Sequence, residues 1–344
     1  MSSSAQYLNP SEAARRLGVS AKALRLYEQR GLVAPARTAA GWRAYGPDEM
    51  ARAAEIAALR ALGLSLAQVA RVPKGEAQGL EPALAAHQAS LEGQVRQLAG
   101  AIGKVRDIRA DLAQGRSPAA AELAKLSGPT QTLSVAFDLP WPWGGERFEL
   151  RDVRALSYIV GPLGCGKTRL AMRLAETLPG AAFVGLDRLE DGEAARARLD
   201  ADAALQARVS QVLAWLVEDG AAETEALVAL LAALEAEGPT ALVVDMVEQE
   251  LDEATQEALI AWLRRRGPAA RPLFLMTRSC AVLDLAAVGP DEAILFCPAN
   301  HSVPMRVAPY PGAPGYEAVA TCLAPPDVRA RTEGIIAMRP PRVA

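Results

Sequence analysis

The sequence predicts an α/β chain in three parts: an N-terminal all-α winged helix-turn-helix, a long coiled-coil helix, and a C-terminal P-loop α/β domain. Three observations carry this. Helix-start and helix-stop signals alternate around a tight turn in residues 9–31; apolar residues recur every seventh position from Leu84 to Leu112; and Gly161-Pro162-Leu163-Gly164-Cys165-Gly166-Lys167-Thr168 lies between an apolar strand and an amphipathic helix. With 344 residues, 51% apolar and 22% charged, the chain has room for two or three folded domains and is not built like a disordered one. No apolar run approaches the roughly 18–20 residues of a bilayer span. The start, Met1-Ser2-Ser3-Ser4-Ala5-Gln6, lacks the basic and apolar regions of a signal peptide, so a cytoplasmic protein without membrane partners is expected. Cys165, Cys280, Cys297 and Cys322 lie too far apart for a CxxC metal site, and two histidines, His87 and His301, nearly exclude a triad or a three-histidine zinc site.

Charge is distributed unevenly. Residues 1–75 hold eleven Lys/Arg against five Asp/Glu, a local charge of +6 on a chain whose net charge is −3. A basic end on an acidic body is the electrostatic footprint of a nucleic-acid-binding module, with a merely solvated basic surface as the alternative.

Within that end, Asn9-Pro10-Ser11-Glu12 starts a helix with Asn9 or Ser11 as cap, and Ala13, Ala14 and Leu17 occupy its inward positions. Gly18-Val19-Ser20 makes the turn; Ser20 caps a second helix from Ala21 to about Arg30, and Gly31 ends it. Lys22, Arg25 and Tyr27 on this second helix are side chains able to reach base edges or phosphates from a major groove. The stretch Leu24-Arg25-Leu26-Tyr27-Glu28 through Gly31-Leu32-Val33-Ala34-Pro35-Ala36-Arg37 to Gly41-Trp42-Arg43-Ala44-Tyr45 resembles the LRYYE…GLL.P.R…GYR.Y run of MerR-family transcription regulators. Residues Ile56–Leu66 resemble that family's second wing, and the likeness covers about residues 7–72, with Leu26 and Trp42 as mild departures. The resemblance implies that Lys22, Arg25 and Tyr27 enter the groove while Arg37, Arg43 and Tyr45 clamp backbone phosphates. For Tyr27 and Trp42 the alternative is core packing, for which Trp42 is the stronger candidate.

Leu84, Leu91, Leu98, Val105 and Leu112 then repeat in heptads, with Val95 and Ile102 in the second seam. Pro73 and Pro82 precede this helix and Gly115-Arg116-Ser117-Pro118 closes it. In the MerR family such a helix forms an antiparallel coiled coil, which implies a homodimer on a pseudo-palindromic double-stranded DNA operator and contact with RNA polymerase; packing inside its own chain is the alternative. Residues 76–130 carry no cysteine, which speaks against metal sensing in the usual family manner.

Residues 119–132 read as a linker, followed by a β-rich stretch with Trp141-Pro142-Trp143 and the strand Ala155–Val160. The G-x-x-x-x-G-K-[ST] loop behind that strand suits a nucleotide polyphosphate. Glycines let successive backbone N–H groups face phosphates, the helix N-terminus adds positive charge, Lys167 bridges terminal phosphates and the Thr168 hydroxyl holds Mg²⁺. Cys165 is read as a small filler of the loop. Ala241–Val244 is a second apolar strand, ending in Asp245. The run Asp245-Met246-Val247-Glu248-Gln249-Glu250-Leu251-Asp252 aligns without gaps on the D-E-P-T-…-L-D of ABC-type ATPases, and residues 133–335 resemble a compact domain of that kind. The resemblance implies ATP or ADP with Mg²⁺ as cofactor, Asp245 as a second metal-holding residue, and Trp143 or Trp141, 24 and 26 residues before Lys167, as an adenine-stacking aromatic or a core residue. Departures fall on turnover. Met246 stands where the water-polarising glutamate belongs, Arg278 where a histidine belongs, and Gly220-Ala221-Ala222 replaces the signature pair. Glu248 and Asp187 are the candidate substitute bases, with surface positions as the alternative. The expected division is 1–75 DNA-binding, 76–118 dimerisation, 119–132 linker and 133–344 nucleotide-binding, and the expected function is a dimeric transcription regulator with a nucleotide-responsive, weakly or non-hydrolysing domain. An active ATPase targeted to DNA is the alternative.

Overall fold

The computed structural model describes residues 7–38, 41–74, 80–114, 116, 133–189, 192–267 and 270–325. The expected linker 119–132 and the start Met1–Gln6 lie outside them, as do Gly115, Ser117 and Pro118.

Helix α1 (Pro10–Leu17) opens with a capping box in which the Asn9 side chain accepts from the Glu12 N–H and the Glu12 carboxylate accepts from the Asn9 N–H. Gly18, at φ +67°, stops it in a conformation that favours glycine. Ser20 then caps α2 (Ala21–Gln29), which buries Leu24 and Tyr27. The antiparallel pair β1 (Ala36–Arg37) and β2 (Arg43–Ala44) forms the wing. Helices α3 (Pro47–Ala61) and α4 (Leu66–Arg71) follow, and the segment read as a second wing is the junction between them. Leu24, Tyr27, Tyr45, Ile56, Leu64 and Val69 share one core belonging to this module.

Helix α5 (Leu80–Ala113) runs for 34 residues, about 50 Å at 1.5 Å per residue. Pro82 sits in its first turn, where a missing N–H costs nothing. The heptad positions are exposed: Leu98 is 65% and Ile102 51% accessible.

The C-terminal domain begins with a hairpin of β3 (Val135–Asp138) and β4 (Arg147–Leu150). Its six-stranded sheet combines β5 (Leu156–Val160), β6 (Ala182–Val184), β7 (Leu242–Val244), β8 (Leu273–Met276), β9 (Glu292–Phe296) and β10 (Met305–Val307) in the order β10-β9-β5-β8-β7-β6. Only β10 runs antiparallel to its neighbour. The parallel strands read as unbroken apolar runs because both faces are covered. One face packs the hairpin and α6 (Lys167–Thr177). The other packs α8 (Ala203–Asp219), α9 (Glu225–Leu234) and α10 (Glu253–Arg265), with α7 (Gly192–Ala201) and α11 (Tyr316–Cys322) at the periphery. This order brings the carboxyl ends of β5 and β7 to one edge with β8 between them, the place where open α/β sheets take ligands.

Candidate functional site

The loop from Gly161 to Gly166 leaves β5 and enters α6 with Gly164 at φ +78° and Gly166 at φ +97°. Both angles favour glycine. Gly161 is required for space: a Cβ there would stand 2.4 Å from the Cys297 carbonyl oxygen and 2.7 Å from Cys165 Sγ. Lys167 is buried and donates from Nζ to the carbonyls of Gly161 and Pro162, 2.8 Å each, so its ammonium is held over the loop. The Thr168 hydroxyl donates to Asp245 Oδ2 at 3.4 Å. Burial raises the Asp245 pKa above the ordinary carboxylate value, against the opposing pull of Thr168, Arg188 and Lys167. A carboxylate held in that way beside a hydroxyl is the oxygen donor set a hard divalent cation takes.

Around these groups lies a cleft of about 520 Å³, within the range of small-ligand sites. Trp141, Lys167, Thr168, Asp245, Met246 and Gln249 are among its lining residues. The two tryptophans separate sharply. Trp141 is 71% exposed at the cleft, with the Arg169 guanidinium 5.1 Å from its ring centroid. Trp143, expected as a cofactor contact, is buried beneath the loop, donating from Nε1 to the Ser302 carbonyl with its ring against Gly166. It supports the phosphate loop from below and does not line the cleft.

Neither candidate base lines the cleft. Glu248 is fully buried and accepts the Arg278 N–H at 2.9 Å, so its carboxylate supports the turn behind Asp245. Asp187 is exposed on the 3-10 turn Leu186–Leu189. Met246 occupies the position after Asp245 at φ +41°. Arg188, passed over in the sequence, donates to the carbonyls of Gly185, Asp245 and Met246 at 2.7–2.8 Å and ties the end of β6 to the end of β7.

Cys165 is buried within the loop, as expected of a small filler. Its thiol is lowered to about 6, chiefly by a hydrogen bond from Cys297, against burial and with help from the Lys167 charge. Lys167 Nζ lies 3.7 Å from its sulfur.

At the other end of the chain, Arg25 is exposed on α2. Arg37 and Arg43 on the wing both pair with Glu28, Arg37 at 3.1 Å. Lys22 is partly buried and pairs with Glu257 at 2.7 Å and Glu253 at 3.2 Å, both on α10. Tyr27 and Tyr45, expected to reach DNA, are core residues, Tyr45 fully buried with a hydroxyl that has no hydrogen-bond partner among the described residues. Trp42, read as the better core candidate, is 74% exposed at the wing tip. Burial thus reverses the expectation for this pair: Tyr27 follows Leu24 by three positions and shares its buried helical face.

The MerR HTH family of regulatory proteins matches residues 8–75. A probable heavy metal-dependent transcriptional regulator of Haemophilus influenzae is 36% identical over 106 residues, which is 29% of this chain and 83% of the relative. The chain belongs to the MerR family. The HTH-type transcriptional regulator HmrR of Sinorhizobium medicae is 43% identical over 63 residues, 18% of this chain and 43% of that regulator. Among solved structures, HiNmlR, a MerR family regulator lacking the sensor domain and bound to promoter DNA, is 19% identical over 30% of this chain and 90% of its own, with a TM-score of 0.25. The ADP conformation of MJ1267, an ATP-binding cassette of an ABC transporter, is 15% identical over 60% of this chain and 100% of its own, with a TM-score of 0.34. A MerR module is therefore joined to a P-loop α/β domain. The family match stops at residue 75, so the chemistry of the C-terminal domain rests on its own residues. Among the described residues no helix is long and apolar enough to cross a membrane.

Proposed function

We propose that the chain is a dimeric, cytoplasmic DNA-binding transcription regulator whose C-terminal P-loop domain binds ATP or ADP with Mg²⁺ and acts as a nucleotide-responsive effector domain with weak or no hydrolysis. The observation that carries this is the convergence of the glycine cradle, Lys167 and the Thr168–Asp245 pair on one cleft. Backbone N–H groups of Gly164–Thr168 and the α6 N-terminus would take the phosphates, and Thr168 and Asp245 would hold Mg²⁺, which supplies charge neutralisation when bound. Trp141 takes over from Trp143 as the stacking candidate.

Met246 cannot accept a proton, and loss of a general base costs on the order of 10²–10⁴-fold in rate. Gln249 lines the cleft, but its amide is no base either, which disfavours the alternative of an active ATPase carried to DNA. On the DNA side, Arg25, Arg37 and Arg43 are the contacts proposed, and RNA polymerase is a further proposed partner. The exposed α5 seam would pair with a second copy, placing two modules on a pseudo-palindromic site. The division at residues 1–75, 76–118, 119–132 and 133–344 is part of the same proposal. Steady-state turnover of ATP by the purified chain, with and without duplex DNA, tests it: turnover well below about one per second is expected, and sustained turnover at or above that rate would establish the ATPase alternative.

A further inference from the structure

The surface of α10 that faces the DNA-reading helix is built for an ammonium group. Glu253 and Glu257 are one helical turn apart, and both carboxylates close on Lys22 Nζ, at 3.2 and 2.7 Å. Burial would lower the Lys22 pKa, and the two glutamates more than offset it, so the ammonium is held charged in this setting. The same side of α2 is engaged further along: Leu26 lines a gap of about 120 Å³ shared with Ile260, Ala261 and Ala281, and Arg30 donates to the Asp219 carbonyl at 3.2 Å. Lys22, Leu26 and Arg30 are spaced by four, a single stripe turned onto the P-loop domain, while Arg25 stays exposed.

On the α2 side this contact is made of ion pairs around a gap, while Arg60 and Asp219 hold the module to the P-loop domain elsewhere, so Lys22 can exchange partners without the two domains separating. Two carboxylates spaced along a helix offer a lysine what two phosphate groups offer it, a local concentration of negative charge. We propose that the Glu253/Glu257 pair is an interaction surface that competes with DNA phosphates for Lys22, so that the P-loop domain restrains duplex binding by its own reading helix. The proposal rests on the reading of α2 as a DNA-binding helix. It requires nothing of the nucleotide.

The test uses the full chain and a fluorescent mixed-sequence DNA duplex, titrated over a range of salt concentrations. Both glutamates are substituted conservatively, E253Q/E257Q, which leaves the Asp252 cap of α10 in place. Freed Lys22 gains a phosphate contact, so affinity rises about two- to tenfold, the range set by partly exposed ion pairs. The slope of log affinity against log salt steepens by about 0.9, one phosphate's share. Lys22→Ala costs more in the E253Q/E257Q background than in the wild type, since only there is Lys22 available. Arg25→Ala weakens binding in both backgrounds. If E253Q/E257Q binds no better than wild type while Arg25→Ala still weakens binding, the competition is overturned and the DNA reading stands. If Arg25→Ala has no effect in either background, the DNA reading of α2 fails and takes the competition with it.

Discussion

Arg60 and Asp219, 159 positions apart, meet through two parallel hydrogen bonds of 2.6 and 2.9 Å that clamp the end of α3 to the end of α8. The same carboxylate accepts the Leu66 N–H at 2.8 Å, at the start of α4, and its side chain is 2% exposed. Glu218 beside it takes the Ser65 hydroxyl at 2.9 Å and Arg71 at 3.4 Å. Trp215, one turn earlier, lies between the guanidinium groups of Arg60 and Arg265. The segment where the sequence resemblance places an ABC signature loop is thus occupied by the chain's own DNA-binding module.

Removing Asp219 leaves a partly buried guanidinium and a helix-start N–H without their acceptor. Asp219→Ala should therefore cost about 3 kcal/mol of stability, and Asp219→Asn less, because it keeps one acceptor oxygen. Urea unfolding reads this directly. A loss smaller than about 1 kcal/mol would mean that the clamp is a surface contact of ordinary weakness.

The two tryptophans of the hairpin loop should fail differently. Trp141→Ala should weaken nucleotide binding by about 1–3 kcal/mol, the scale of base stacking on an aromatic ring, with little change in unfolding. Trp143→Ala should lower stability by about 3–5 kcal/mol, since it opens a void beneath Gly166. Calorimetric titration paired with thermal unfolding separates the two. Equal effects on both readouts would remove the distinction between cleft and support.

Cys165 should titrate far below an ordinary thiol. The hydrogen bond from Cys297 and the Lys167 charge favour the thiolate, with the thiol lowered to about 6. Cys165 is buried, so the absolute rate of its alkylation is set by access, and the pH midpoint, followed by mass spectrometry with a small reagent, is what reports ionisation. The rate should be near its plateau at about pH 7 and fall as pH drops through 6. A rate still climbing through about pH 8.5 would show an unperturbed thiol.

Leu98→Asp places a charge at an exposed seam position of α5. Sedimentation should show a dimer for the wild type and monomers for the variant. A variant that stays dimeric would place the dimer contact on the P-loop domain instead.

Much of this was legible in the sequence, for reasons that differ from place to place. The phosphate loop and its flanking strand and helix are local: glycines at positive φ, a lysine and a threonine at fixed spacing, and no distant partner required. Helix α10 is local in the same way, with Asp252 capping it and an unbroken apolar period from Glu253 to Arg265. Trp141 and Trp143 could not be told apart, since two residues in one loop share every local property and differ only in what lies beneath them. Tyr27 and Trp42 exchange their expected places because helical phase, three positions after Leu24, puts Tyr27 inside, while Trp42 stands on the wing. Charge counting gives the basic end two readings, a DNA footprint or a solvated surface, and neither includes a contact with the rest of the chain. In the structure Lys22, Arg30, Arg60 and Arg71 all meet groups of the C-terminal domain. Contacts across 147 to 235 positions leave no periodic trace in the chain.

In the proposed function, nucleotide in the P-loop domain alters DNA binding at the other end of the chain. Coupling of this kind requires nucleotide to favour one arrangement of the two domains over another; tight binding alone shifts nothing. The most direct measurement is a duplex titration of wild type and Lys167→Ala in the presence of Mg²⁺ with ATP, with ADP and without nucleotide. Separated curves are expected for the wild type, and superimposed curves for Lys167→Ala at the wild type's nucleotide-free affinity. Three identical curves for the wild type would remove the coupling and leave the P-loop domain a structural or protein-binding module.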